Sequence, residues 1–217
     1  MCEIYTDVDG VYTCDPRVVP DARKIDVIAY DELLEMASSG SKVMQSRSVE
    51  FAKKFKVPFE VRSSFNNNRG TIVKEESIGL ENVVVRGISL ERKQAKVTIS
   101  HVPDKPGTAS RIFKALAEAN VSIDVIVQNV SVKGTTDISF TLAADELVKV
   151  GPVIERIGAE VGAGEVLKQG GIAKLSVVGI GMRSHSGVAA TLFECLGNGG
   201  VNIQMISTSE IKIAVIL

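Results

Sequence analysis

Tryptophan is absent from this 217-residue chain, histidine occurs twice, and aromatic residues of all kinds make up 5%. So few flat rings leave no evident platform for stacking nucleic-acid bases. An excess of either charge is also lacking: 25 Lys and Arg face 26 Asp and Glu, a net charge of −1. Without a basic surplus, no nucleic-acid partner is expected. Cysteine is scarce, limited to Cys2, Cys14 and Cys195, an odd number with no metal-ligand spacing. No metal site is expected, and a reducing, cytoplasmic location fits this usage. Long apolar runs are missing too; none approaches the roughly 18 residues of a membrane span. No signal peptide is read, so no membrane role is expected.

What is present is an α/β pattern in two styles. Residues 1–73 alternate strands and helices. CEIYT is a short strand, and DPRVVPDA a loop. AYDELLEMASSG sets Leu33, Leu34, Met36 and Ala37 at helical spacing and stops at Ser38-Ser39-Gly40. SRSVEFAKKF is a second amphipathic helix, VPFEVRSS a strand, and SFNNNRG a polar loop. A boundary is expected near KEESIGLE, residues 74–81.

Beyond it lies an internal repeat. AKVTISHVPDKPGTASRIFKALAEANVSIDVIVQNVS begins at Ala95, and AKLSVVGIGMRSHSGVAATLFECLGNGGVNIQMISTSE at Ala173. Gly107 aligns with Gly187, Ala109 with Ala189, Phe113 with Phe193, Leu116 with Leu196 and Val121 with Val201. Each copy reads strand, glycine turn, helix, strand. Copy one continues through TDISFTL and the helix ELVKVGPVIERIG; copy two continues through IKIAVIL without a second helix. NVVVRGISL, residues 82–90, reads as a strand with no partner of its own.

The opening IYTDVDGVYT delivers Asp7 and Asp9 into a glycine turn, as the nucleophile and general acid of a dehalogenase-type phosphatase would be delivered. Such an enzyme also needs a late pair of carboxylates to hold Mg²⁺. Asp104, Asp124, Asp137 and Asp145 are separated and lie in the repeats, so the phosphatase reading fails. A turn with one capping Asp remains.

Taken together, these stretches resemble the C-terminal half of aspartate kinases, over essentially the whole chain. TDVDGVYTCDPRVVPDA is similar to that family's nucleotide-binding segment and GSKVMQSRSVEFA to its following helix. DKPG, VQNVS, TTDISFT and STSEI are similar to its paired ACT regulatory modules. The resemblance implies a partial amino-acid kinase α/β domain followed by two ferredoxin-like ACT domains, the first inserted in the second. The expected boundaries are 1–73 for the kinase part, 74–93 for a linker and the strand completing the second ACT domain, 94–171 for the first ACT domain, and 172–217 for the second, C-terminally truncated.

The activity implied is ATP-dependent phosphorylation of aspartate in lysine, threonine and methionine synthesis, with ATP and Mg as substrate of the intact enzyme and no tightly bound cofactor. Thr6, Asp7, Tyr12, Arg17, Lys42 and Val43 fall on the family's nucleotide positions. Arg17 and Lys42 suit phosphate charge, and Tyr12 offers a flat face to adenine. Taken singly, the two cations would be solvated surface groups and Tyr12 a core ring. The family's glycine-rich KFGGTS-type phosphate loop has no counterpart in the sequence, so the polypeptide alone is expected to lack kinase activity.

The effector positions fall on Asp104, Gly107, Ala109, Asp124 and Gln128 in copy one, and on Asn202, Ile203 and Ser209 in copy two. A strand-to-helix turn presents free N–H groups to a carboxylate, and Asp104 can take an ammonium. Copy two has Met182-Arg183-Ser184-His185 where copy one has its Asp, so the ammonium is expected mainly at copy one. Without the repeat, DKPG would be an ordinary helix start; the plain reading of Asn202 and Ser209 is strand-end caps, and His185 is read as a loop residue rather than a ligand. Lysine, threonine or both are the implied effectors. A homodimer through the ACT modules is implied, with the N-terminal kinase half or a full-length subunit as a further partner. A free-standing ACT sensor acting on some other protein is the alternative.

Overall fold

The computed structural model describes residues 2–41, 43–75, 83–129 and 133–217. The chain forms two compact units, one of residues 1–91 and 174–217, the other of residues 92–173.

The first unit begins with β1 (Cys2–Thr6), β2 (Val27–Ala29), α1 (Tyr30–Ser38), α2 (Ser46–Lys54), β3 (Phe59–Ser63) and β4 (Thr71–Lys74). The strands form a four-stranded sheet in the order β1-β3-β4-β2. β1 runs parallel to β3 and β2 parallel to β4, while β3 and β4 are antiparallel. Val61 and Val73 on the sheet meet Tyr30, Leu33, Met36 and Val49 from the helices in one apolar core. That stripe is what the 3.6-residue period of AYDELLEMA demands. α1 ends where Ser39 N–H turns back to the carbonyls of Glu35 and Met36.

β1 is an edge strand. Beside it, Cys2, Ile4, Phe51, Ala52, Phe55 and Val57 line an open apolar groove of about 270 Å³. The rings of Phe51 and Phe55 stack there at 6.2 Å, 57% and 63% exposed.

The same unit holds the first residues of β5 (Gly87–Pro103), the last of β8 (Glu165–Val178), a 3-10 turn (Ile180–Arg183), α5 (Val188–Asn198), β9 (Met205–Thr208) and β10 (Lys212–Ile216). β10 pairs antiparallel with β8, from Lys212 opposite Val178 to Ile216 opposite Lys174, and with β9 on its other side.

The second unit contains the rest of β5 and β8 with α3 (Thr108–Glu118), β6 (Ile126–Gln128), β7 (Thr135–Ala143) and α4 (Glu146–Val161). β7 lies between β5 and β6, antiparallel to both. Val97, Ile99, Phe140 and Leu142 of the sheet pack on Ile112 and Leu116 of α3 and Val150 and Ile154 of α4. Phe113 meets Phe140 edge to face at 5.9 Å. The β5–β7 ladder shifts between Ile99 and Val102, where His101 takes φ 55 and donates its N–H to Asp137 at 2.8 Å. A bulge of this kind re-aims a strand, here into the DKPG turn.

The strand expected over residues 82–90 begins later. Its ladder starts at Gly87, although Arg86 N–H already donates to Val178 O at 2.7 Å. Asn82, the first residue of that stretch, lies outside the described residues, as do residues 76–81 of the expected boundary and Lys42.

Candidate functional site

The nucleotide-type segment leaves the end of β1, a place where open α/β sheets present loops to ligands. Thr6 Oγ1 donates to Val8 O at 2.7 Å and accepts Val8 N–H, turning the chain, and leaves Asp7 exposed. Asp9 accepts the Tyr12 hydroxyl at 2.6 Å, so it ties down the turn. This bond, then burial and the charge of Asp9, hold the Tyr12 phenol above its ordinary pKa. Gly10 sits at φ 149, and a Cβ there would come within 2.6 Å of Thr71 Oγ1. Thr71 is the clasp: its buried hydroxyl accepts Val11 N–H at 2.8 Å and donates to Ile25 O at 2.6 Å.

Arg17 is forked onto Asp15, with Nε 3.0 Å from Oδ1 and Nη2 2.9 Å from Oδ2, both side chains well exposed. That pairing holds the Asp15 carboxyl below its usual range and raises Arg17, with a smaller contribution from the charge of Asp7. Val43 is half-buried against the core of the first unit. The structure thus places Thr6 at the end of β1, Asp7 and Tyr12 on the turn that follows it, and Val43 against the core of the same unit.

Residues the sequence reading passed over complete this surface. Lys24 Nζ donates to Arg69 O at 2.5 Å and stands 3.9 Å from Asp9 Oδ2. Glu60, 6% exposed, accepts Gly70 N–H at 2.7 Å. Gly70, at the head of the β-branched run TIV, was the available signal: a Gly in a strand pattern suggests a close backbone approach, and a Cβ there would lie 1.9 Å from Val61 O.

The repeated turns are the other candidate. Gly107 before α3 has φ 91 and ψ −11; Gly187 before α5 has φ 99 and ψ −12. The same left-handed turn is built twice, and each opens a helix of 11 residues. The first N–H groups of such a helix point outward at the positive end of its dipole. At Gly107 the exposed Asp104 lies three residues before the glycine, its N–H donating to Gly134 O at 3.0 Å. Ala109 is half-buried against the core, and the exposed Asp124 donates its N–H to Thr141 O at 3.1 Å. Gln128, also exposed, ends β6.

At the second turn Met182-Arg183-Ser184-His185 stand where copy one has its acid. Arg183 Nε stands 3.3 Å from Glu210, and His185 Nδ1 lies 2.9 Å from Gly181 O, which pins the loop to the 3-10 turn. Asn202 is exposed and Ile203 half-buried on the segment entering β9, and Ser209 closes the next turn by donating its N–H to Lys212 O at 2.8 Å.

Among the described residues no group of acids, histidines and cysteines is arranged to hold a metal, and no helix is long and apolar enough to cross a membrane.

Comparison with known proteins finds three matched stretches. The amino acid kinase family model matches residues 1–63, and ACT domain models match residues 97–160 and 175–217. These define a class: a mixed α/β chain in which part of an amino-acid kinase sheet is followed by tandem ACT-type modules. Aspartate kinase of Pseudomonas putida is 52% identical over 217 residues, which are 100% of this chain and 53% of that protein. The regulatory subunit of aspartate kinase from Thermus thermophilus, in its ligand-free form, is 36% identical with a TM-score of 0.58, covering 62% of this chain and 88% of that one. Aspartokinase III of Escherichia coli, in complex with lysine and aspartate in its T-state, is 28% identical with a TM-score of 0.77, covering 99% of this chain and 47% of that one. The chain belongs to the aspartate kinase family and corresponds to its C-terminal, ACT-containing portion. It spans about half the length of the curated relatives it matches.

Proposed function

We propose that this chain is the regulatory portion of an aspartate kinase and binds lysine, threonine or both as feedback effectors at its glycine turns. The reaction so controlled is transfer of the ATP γ-phosphoryl group to the side-chain carboxylate of L-aspartate, giving 4-phospho-L-aspartate. The observation that carries this reading is the pair of left-handed turns at Gly107 and Gly187, alike in backbone and each at a helix start. A helix N-terminus suits the effector carboxylate, and Asp104 suits its ammonium. The complex of the E. coli relative with lysine supports the ligand class.

In this reading residues 1–73 are the kinase part, with Thr6, Asp7, Tyr12, Arg17, Lys42 and Val43 toward ATP. Residues 94–171 form the first ACT module, inserted within a second one made of residues 172–217 and the strand in 74–93. The bond from Arg86 N–H to Val178 O, which ties that strand to β8, favours the assignment. The modules pair between chains as a homodimer, and the polypeptide alone turns over no substrate for want of a phosphate loop. A free-standing sensor is the second reading; the kinase-type sheet and its family match favour the first.

Calorimetric titration with lysine and with threonine tests the proposal, wild type against Asp104→Ala. Loss of one charge-assisted hydrogen bond, about 1.5–3 kcal/mol, should weaken binding at least roughly tenfold. Undiminished binding by the variant would remove Asp104 from the site. No heat with either amino acid would reject the effector reading.

A further inference from the structure

A fully buried carboxylate links the two ends of the first unit. Glu32 sits in the first turn of α1 with no solvent exposure. Its Oε2 accepts Ala29 N–H at 3.2 Å, capping its own helix, and its Oε1 accepts Ile180 N–H at 3.1 Å. Arg86, 9% exposed, brings Nε to 3.2 Å from Oε2 and 3.4 Å from Oε1. One side chain thereby ties the start of a kinase-type helix to the first residue of the 3-10 turn that leads to Gly187.

The other partner of this carboxylate continues the path. Arg86 is bonded through its N–H to Val178 O, and two residues on Ile88 N–H donates to Thr13 O at 2.7 Å. Thr13 adjoins Tyr12 of the nucleotide-type loop. Spacing along the path is tight. A Cβ on Gly179 would lie 2.2 Å from Val84 O, and one on Gly87 would lie 2.6 Å from Met36 Cε and 3.1 Å from Thr13 O. One turn along α1, Lys212 Nζ reaches Glu35 Oε2 at 2.7 Å.

We infer that Glu32 is a positioning residue that couples occupancy of the Gly187 turn to the nucleotide-type loop at residues 10–13. The inference rests on the effector reading above and specifies how that site regulates. A ligand at the turn acts on the loop of residues 184–187, which His185 pins to Gly181. Any displacement of Ile180 N–H strips a donor from a buried charge. Such a loss is costly, so the network moves as a unit or not at all. Arg86 then carries the displacement through Gly87 and Ile88 to Thr13. Coupling claims need a demonstrated response at the distant site, not mere adjacency.

Hydrogen–deuterium exchange of the full chain, with and without saturating lysine or threonine, supplies that test. In the wild type, amino acid that binds should alter exchange both at 180–187 and at 10–13. In the double variant Glu32→Gln/Arg86→Met, which removes both buried charges together, the response at 180–187 should persist and that at 10–13 should vanish. Arg86→Lys keeps the charge paired but loses the planar fork; it serves where the double variant does not fold, with a reduced response at 10–13. Amino acid that binds the wild type without altering exchange at 10–13 overturns the relay and leaves the effector reading standing. A variant that transmits as fully as the wild type overturns it equally. Failure of both amino acids to bind overturns the effector reading and the relay with it.

Discussion

Replacing Gly107 by alanine isolates the backbone of the turn from everything else. A methyl group there meets no atom within 4 Å, so neither clash nor repacking intervenes. What remains is φ 91, a conformation an L-residue adopts at a cost of about 1–2 kcal/mol. Against it stands the gain of about 0.4–1 kcal/mol from stiffening the unfolded chain. The balance is a loss of about 1 kcal/mol, which lowers the melting midpoint of a chain this size by about 2–4 °C. Gly170 is the control: a methyl there is equally unobstructed, and its φ lies outside the left-handed range. Gly170→Ala should therefore raise the midpoint by a similar or smaller amount. Gly187→Ala, at φ 99, should match Gly107→Ala. Thermal unfolding followed by circular dichroism compares the three variants. If Gly107→Ala is as stabilising as Gly170→Ala, the left-handed turn is absent, and with it the geometry on which the proposed effector site depends.

Thr71→Val removes both buried bonds of the clasp while keeping its shape, leaving Val11 N–H without its acceptor; a loss of about 1–3 kcal/mol is expected in urea denaturation, with Thr71→Ser restoring most of it. An unchanged midpoint would show that the loop is held by other means. Tyr12 supplies a pH signature. Its phenol is raised, first by the bond to Asp9, so the neutral form is favoured in the fold. That stabilisation is whole below about pH 10, the unfolded tyrosine value, and is lost as pH rises through the higher folded value. Asp9→Asn should move the phenolate transition down in a spectrophotometric difference titration, and an unmoved transition would contradict the pairing.

The repeat made much of this architecture readable in advance. Aligned glycines at 107 and 187 foretold two turns, and both formed with nearly the same backbone angles. Leu33 and Met36 marked the buried face of α1, and Ser39-Gly40 its end. β2 and β4 escaped notice for a physical reason. Val27–Ala29 is three residues long and runs straight into α1, so its apolar residues merge with the helical period. Glu32 was hidden more deeply. Near a helix start, an acid reads as a capping group on a wet face; its burial is imposed by Arg86 and Ile180, 54 and 148 residues away. Asp15 likewise could not be foreseen as the partner that occupies Arg17.

The uncovered flank of β1 has a practical consequence. Among the described residues β1 has a strand on one side only, and its other side borders two stacked phenylalanine rings half open to water. Where nothing covers this flank, Phe51 and Phe55 are expected to draw copies of the chain together, and a detergent or protein that shields the two rings is expected to keep them apart.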